Sequence, residues 1–378
     1  MTSDACSATI RGRIAMTRTT RRILVTAGCL FGLLLAYLLL WPVSIDPLAF
    51  EPAPPPAREG AYAANQALAS AERLGENAVS GPEDVAVDPA GRIYVGTHDG
   101  RILRLGPDGE DAETFANTGG RPLGLAWDRE GNLIVADAVR GLLSVAPDGT
   151  VAVLTSEADG RPFRFTDDVD VAEDGRIYFS DASDRFGYGD HILDLLEARP
   201  HGRLLRYDPT TKRTETLLDG LYFANGVAIA KDQRFVLVNE TYRFRVTRYW
   251  LSDERAGSHE IVIDNLPGYP DGISCGPRGT FWVALFTVRN ARAEWLAPRP
   301  FAKKAVARLP RALWPKPAPY GFALEIDGDG KPLRSLQDPT GATIRTITSI
   351  EELPSADGPV LYFGTLHEPY FGRLRLVE

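Results

Sequence analysis

Cysteine is nearly missing from this 378-residue chain. Its three examples, Cys6, Cys29 and Cys275, show no zinc-ligand spacing. Only Cys275 lies in the patterned body, which excludes a disulfide within it. Cys275 occupies an apolar strand position and reads as a small core residue. Histidine is also scarce, with five residues. No Ser–His–Asp order, nucleophile elbow or phosphate-binding glycine loop is present, so triad and nucleotide chemistry have no support. The DGDG run at Asp327–Gly330 starts like an EF-hand loop but lacks its twelve-residue ligand set, and reads as a hairpin turn. Basic charge is lacking as well. The net charge of −8 divides into +4 over residues 1–41 (Arg11, Arg13, Arg18, Arg21 and Arg22 against Asp4) and −12 over the remainder. So acidic a body argues against nucleic acid as a partner.

What is present begins with Ile23–Trp41, ILVTAGCLFGLLLAYLLLW, an uncharged run. At 1.5 Å per residue it matches a hydrocarbon core of about 30 Å. The arginines all precede it, so residues 1–22 read as a cytoplasmic basic tail and 23–41 as a signal-anchor helix, single-pass and type II, with the rest exported. Tyr37 and Trp41 suit the far interface. The residues after the run, WPVSIDPLAF, offer no convincing small-x-small cleavage site. Residues 42–59 carry six prolines and predict a stiff spacer that lifts the following domain off the bilayer.

Residues 60–378 are repetitive. GPEDVAVDPAGRIYV, RPLGLAWDREGNLIV, FTDDVDVAEDGRIYF, FANGVAIAKDQRFVL and YPDGISCGPRGTFWV share an apolar run, a turn and a second apolar run. Hairpin turns separate short strands at a period of about 40–58 residues, the pattern of four-stranded propeller blades. A weaker sixth unit contains IRTITSI, VLYFGTL and GRLRLV, and a strand within Ser70–Val79 is expected to complete it and close the ring. The predicted fold is all-β, a six-bladed β-propeller behind an N-terminal transmembrane helix. Two insertions interrupt the period. Either can be surface decoration packed on a blade. The sharper reading of Asp184–Gly202, which contains a short helix, is a lid over the channel mouth. That of Asn290–Pro317, basic and carrying Trp295, Phe301 and Trp314, is an interfacial helix near anionic lipid.

Aligned, the five units share a column just before or within the first run: Glu83, Leu123, Asp167, Asn225 and Asp271. Four of these carry side-chain oxygens. Around a propeller axis they would converge on one point, and an oxygen-only set suits a hard cation such as Ca2+ better than zinc. Glu83, Asp167, Asn225 and Asp271 are the expected metal ligands. Asp271 or Asp167 could serve as base or nucleophile beside the ion. His98, at a strand end in VGTHDG, and His367, in GTLHEPYFG, are placed near the channel mouth, His98 with a possible catalytic role.

The run HGRLLRYDPTTKRTETLLDGLYFANGVAIAKDQRFVLVNETYRFRVTRYWL, with GRPLGLAWD, LIVADAVRGLL, DNLPGYPDGI and FWVAL, closely resembles the strictosidine synthase-like and adipocyte plasma membrane-associated proteins. The likeness runs from about Gly81 to the end. These share a superfamily with regucalcin-type gluconolactonases, squid-type diisopropylfluorophosphatase and paraoxonases. The resemblance implies six blades, a channel calcium and a type II anchor. It also implies ligand roles for Glu83, for Asn225 in ANG and for Asp271 in PD. At the fourth position the family's asparagine is replaced by Asp167, followed by Asp168. Gly272 follows Asp271 where relatives often carry asparagine. The glutamate that acts as base in strictosidine synthase itself aligns with Thr348 in TITSIEEL, ahead of Glu351 and Glu352. The expected activity is therefore calcium-dependent hydrolysis of a small-molecule lactone, aryl ester or phosphotriester-like ester. A non-catalytic binding propeller and a synthase-type C–C or C–N bond-forming enzyme are the alternatives.

Overall fold

The computed structural model describes residues 17–376. Six four-stranded antiparallel sheets succeed one another along the chain, as the repeats predict. Their innermost strands are Val85–Val87, Pro122–Trp127, Thr166–Val171, Ala224–Ile229, Gly268–Cys275 and Ile347–Leu353. The sixth blade takes its outermost strand, Glu72–Leu74, from the other end of the chain, paired antiparallel with Phe371–Arg373. Leu74 is buried against Val79, Leu105 and Phe371, and this pairing closes the ring. Closing a sheet on itself in this way removes the free edge.

In blades two to six the innermost strand carries the same irregularity. Thr166 pairs with Asp181 and Val169 with Phe179, so three steps on one strand face two on its neighbour. The same mismatch lies between Pro122 and Leu125, Ala224 and Val227, Pro270 and Ile273, and Ile347 and Ile350. One extra residue per strand is a β-bulge, which bends the strand and re-aims a side chain. The column residues Leu123, Asp167, Asn225, Asp271 and Thr348 all fall inside these bulges. Neighbouring blades touch here so closely that a Cβ at Gly226 would strike the backbone of Asp271–Ile273, and one at Gly272 the Thr348 carbonyl. An asparagine at 272 has no room.

The residues that follow two of the column positions tie the blades together. Asp84 Oδ2 accepts from Leu125 N at 2.8 Å, and Asp168 Oδ2 from Val227 N at 2.8 Å. Asp170 repeats the arrangement on Ile229 N. These carboxylates satisfy inner-strand N–H groups of another blade.

Two N-terminal expectations need correction. The helix runs Arg18–Leu40, not 23–41: Thr17 caps it by accepting from Thr20 N at 3.2 Å, and Trp41 lies beyond its last turn. Capping and backbone bonding continue the helix through Arg18, Arg21 and Arg22, ahead of the apolar run. It is long and apolar enough to cross a membrane. Arg11, Arg13 and most of the basic tail lie outside the described residues. The proline-rich segment 42–59 is extended, yet it is no free spacer. Ile45 and Pro47 are buried, Leu48 N donates to Glu197 O, Phe50 N donates to Ala297 O, and Phe50 stacks on Phe244. Arg58 donates to Gln337 at 2.8 Å. Apolar residues between the prolines give the segment a face to bury, which composition alone does not disclose.

The closing strand is expected to depend on its inward face. Leu74→Ala should cost about 2–3 kcal/mol. Glu72→Ala, which removes only a surface pair with Arg373, should cost less than about 1 kcal/mol. Urea denaturation of both variants separates the two, and equal losses would contradict closure through Leu74.

Candidate functional site

A cavity of about 690 Å³ opens at the end of the propeller where the innermost strands begin. Glu83, Asp167, Asn225 and Asp271 all line it, as the shared column predicts, together with Leu123 in the place of a fifth oxygen. The bulges aim Leu123, Asp167, Asn225 and Asp271 there, while Glu83 precedes the regular inner strand of the first blade, and in three blades an acid at the end of the second strand holds the approach to the bulge. Asp181 Oδ1 accepts from Arg164 N and Phe165 N, fixing the entry to Asp167. Glu240 accepts from Tyr222 N ahead of Asn225. Asp137 accepts from Arg121 N ahead of Leu123. Asn239 Nδ2 donates to Asp271 O at 2.6 Å, and Thr241 Oγ1 to Pro270 O at 2.7 Å, so the Asp271 backbone is gripped from the neighbouring blade.

Burial pushes the carboxyls of Glu83 and Asp167 well above their ordinary range. Mutual repulsion adds to this: Asp167 and Asp271 act on Glu83, and Asp271 and Asp168 on Asp167. Asp271 is pushed up to about 7, mainly by burial, against a hydrogen bond donated by Asn225 Nδ2 at 2.6 Å. Asp167 Oδ2 is buried with no hydrogen-bond partner. Among the described residues no three His, Cys, Asp or Glu side chains form an assembled metal cluster. The donor set nevertheless fits a hard divalent cation. Its members offer oxygen, one buried oxygen is orphaned, and a cation would relieve the burial and mutual repulsion that push these carboxyls up.

That guanidinium belongs to Arg121, which the sequence reading missed. It is buried and lines the cavity, its Nη2 donates to Gly81 O at 2.8 Å, and Nε and Nη1 have no partner. A basic residue two positions before the column, in RPLG, was the available signal. His98 and His367 both reach the cavity and meet each other: His98 Nδ1 lies 2.9 Å from Tyr188 Oη and His98 Nε2 3.3 Å from His367 Nδ1. Burial, then Arg121 and His367, push His98 down to about 4, so it is neutral at neutral pH. Thr348 reaches no ligand position, because its hydroxyl donates to Glu83 O at 2.6 Å. Glu352 is taken by Trp282 Nε1, and Glu351 lines a separate cavity further along the axis.

Both insertions stand at the mouth. The first forms the helix His191–Glu197, whose Ile192 and Leu195 wall the cavity. The second forms Ala291–Leu296 and Pro300–Ala307 and adds Trp314, Pro315 and Pro317 to the opposite wall.

Residues 167–254 match the strictosidine synthase family model, and 60–105 match the model described as strictosidine synthase-like, N-terminal. Protein strictosidine synthase-like 10 of Arabidopsis thaliana is 38% identical over 331 residues, 80% of this chain and 87% of the relative. The chain belongs to the strictosidine synthase-like family. Human adipocyte plasma membrane-associated protein is similar as well, 35% identical over 89% of this chain and 84% of its own length. Among solved structures, a gluconolactonase from Xanthomonas campestris superposes with TM-score 0.60 at 18% identity, covering 89% of this chain and 99% of that one. A calcium-binding regucalcin from Agrobacterium tumefaciens does so with TM-score 0.56 at 14% identity, covering 80% and 92%. At these identities the two structures establish the shared propeller fold.

The lid helix carries its own titration. Asp194 is buried, bonded to Ser183 Oγ at 2.5 Å, and pushed up to about 7 by burial. The unfolded chain ionises this group first, so its contribution to stability falls from about pH 4 to about pH 7 and is constant above. Asp194→Asn should remove that slope, a change of at most about 4 kcal/mol across the window. Denaturation of wild type and variant at pH 4.5, 6 and 8 checks it. Parallel curves would show that Asp194 is ionised in the fold throughout.

Proposed function

We propose that this chain is a membrane-anchored, calcium-dependent hydrolase of lactones, aryl esters or phosphotriester-like esters. The observation that carries the reading is the convergence of Glu83, Asp167, Asn225 and Asp271 at the floor of an apolar-walled cavity, with Arg121 as the positive charge acting on Glu83 and Asp167. A regucalcin titled as calcium-binding and a protein titled as a gluconolactonase share the fold, which supports the direction of the proposal. Glu83, Asn225 and Asp271 would hold Ca2+, with Asp167 in or beside its coordination shell. Calcium there would supply a Lewis acid for the carbonyl or phosphoryl oxygen of the substrate.

The chain's own groups supply the rest. Arg121 has two N–H-bearing nitrogens free and is suited to a developing oxyanion. Asp271 is oriented by Asn225, and Asp167 presents an unpartnered oxygen, so either can take a proton from an attacking water or attack directly. His98, neutral and engaged through both ring nitrogens by Tyr188 and His367, is a weak proton acceptor and is suited to hydrogen bonding at the mouth. Ile192, Leu195, Phe223 and Trp314 exclude water from the apolar part of the substrate. A synthase-type condensation lacks its base, since Thr348 is engaged with Glu83 O.

Calcium is expected to bind the full chain in detergent with one site by calorimetry, and Asp271→Ala should abolish it. EDTA should stop cleavage of phenyl acetate or a simple lactone, and added calcium should restore it. Asp271→Asn should lower kcat/KM by roughly 10²–10⁴ while weakening calcium binding less. Calcium bound without turnover on lactone, aryl-ester and phosphotriester substrates would favour a binding propeller. Condensation of an amine with an aldehyde would revive the synthase reading.

The arginines before the apolar run Ile23–Trp41 favour, by the positive-inside rule, a cytoplasmic amino terminus and an exported propeller. A reporter fused at the carboxyl terminus should be active only on the exported side. Activity confined to the cytoplasm would reverse the topology.

A further inference from the structure

We infer that the 290–317 insertion is a membrane-seated foot that holds the cavity mouth at the lipid headgroup level. The inference rests on the reading of Arg18–Leu40 as an anchor.

The insertion is joined to that helix. Tyr37 Oη donates to Arg308 O at 2.9 Å, while Arg308 Nε donates to Trp41 O at 2.6 Å and Nη1 to Leu38 O at 2.9 Å. Chain length enforces the proximity. Ile45, four residues beyond Trp41, is already buried against the insertions, in a cluster with Phe186, Leu196 and Leu296. Four extended residues span at most about 14 Å. The segment leaving the membrane then grips both insertions. Asp46 pairs with Arg199 at 2.5 Å, Ser44 O accepts from Arg185, and Leu48 O accepts from Lys303 Nζ at 2.8 Å.

The foot has the composition of an interfacial surface. Trp295, Phe301 and Leu313 are 58, 62 and 65% exposed. At the turns of the opposite propeller face, among the described residues, Leu333 is the exposed large apolar side chain, at 43%. Residues 290–317 hold seven basic residues and one acid, on a body otherwise strongly acidic. Arg292, Arg299, Arg311 and Lys316 are exposed. Basic groups next to apolar and aromatic side chains complement anionic headgroups over acyl chains. The foot and the cavity wall are one piece of chain, since Trp314, Pro315 and Pro317 follow Leu313 directly into the cavity. An amphiphile with an apolar chain can therefore pass from the bilayer to Arg121 and Glu83 along Trp314, Ile192 and Leu195.

The test uses the full chain, with Cys6, Cys29 and Cys275 replaced by serine, in nanodiscs containing anionic lipid and brominated acyl chains. An environment-sensitive dye is attached at Leu34→Cys, Phe301→Cys, Leu313→Cys or, on the opposite face, Glu130→Cys. Bromolipid should quench the dye at 34, 301 and 313 by about twofold or more and leave 130 unchanged. The triple variant Arg292→Glu, Arg299→Glu, Lys316→Glu should lose most of the quenching at 301 while keeping that at 34. Quenching at 34 without quenching at 301 and 313 overturns the foot and leaves the anchor intact. No quenching at 34 overturns the anchor itself, and the foot with it.

Discussion

One extra residue in the innermost strand of five of the six blades organises this molecule. A regular strand would alternate its side chains between the two faces of the blade and send none along the axis. The bulge breaks that alternation at Leu123, Asp167, Asn225, Asp271 and Thr348, and does so where neighbouring blades approach most closely. Glycine at 226 and 272 is the steric condition for this approach. The cost of an unpaired strand segment is offset by side chains from the second strands and from other blades. Asp181 and Glu240 hold the backbone leading into two bulges, and Asn239 and Thr241 donate to carbonyls at a third. Site and scaffold are in this sense one hydrogen-bond network.

Its electrostatic consequence is a stack of buried acids. Carboxylates removed from water without counter-charge are held near neutrality or need a cation. Here two sets behave differently. Asp84, Asp168 and Asp170 accept backbone N–H bonds from neighbouring blades, so their role is structural. Glu83, Asp167 and Asp271 face the cavity with fewer partners and with Arg121 as the near positive charge. The contrast between adjacent residues, Asp167 in the cavity and Asp168 between the blades, separates a cavity-facing carboxyl from an inter-blade staple more sharply than composition can.

The mouth is built by the least regular parts of the chain. The lid helix, the two helices of the second insertion and the proline-rich segment meet beside the cavity, and the apolar helix ends on the same side. A spacer would have uncoupled the propeller from that helix. The packed segment instead relates cavity, insertions and helix to one another, so that access to the cavity is tied to the surroundings of the helix.

Repeat period, hairpin turns, ring closure and the four-oxygen column were all legible in the sequence, because each depends on local pattern or on equivalence between repeats. Thr348 was singled out only through the family resemblance, and the fold sets it in the sixth blade's bulge, equivalent to the column positions. Arg121 was not legible, since its meaning comes from carboxylates supplied by Glu83 in one blade and Asp167 in another. The pairing of His98 with His367 joins the first blade to the last across 269 positions. The helix start escaped prediction because capping by Thr17 outweighs the apolar boundary, and the docking of residues 42–59 escaped because prolines do not reveal which surface their apolar neighbours will cover. By itself the sequence determined the blades and the residues that face their common axis, since strand period and repeat spacing are properties of the chain. Only the tertiary structure decided which of those residues share charge, which are tied to backbone and what surrounds the mouth, since these depend on distances between segments that no local pattern encodes.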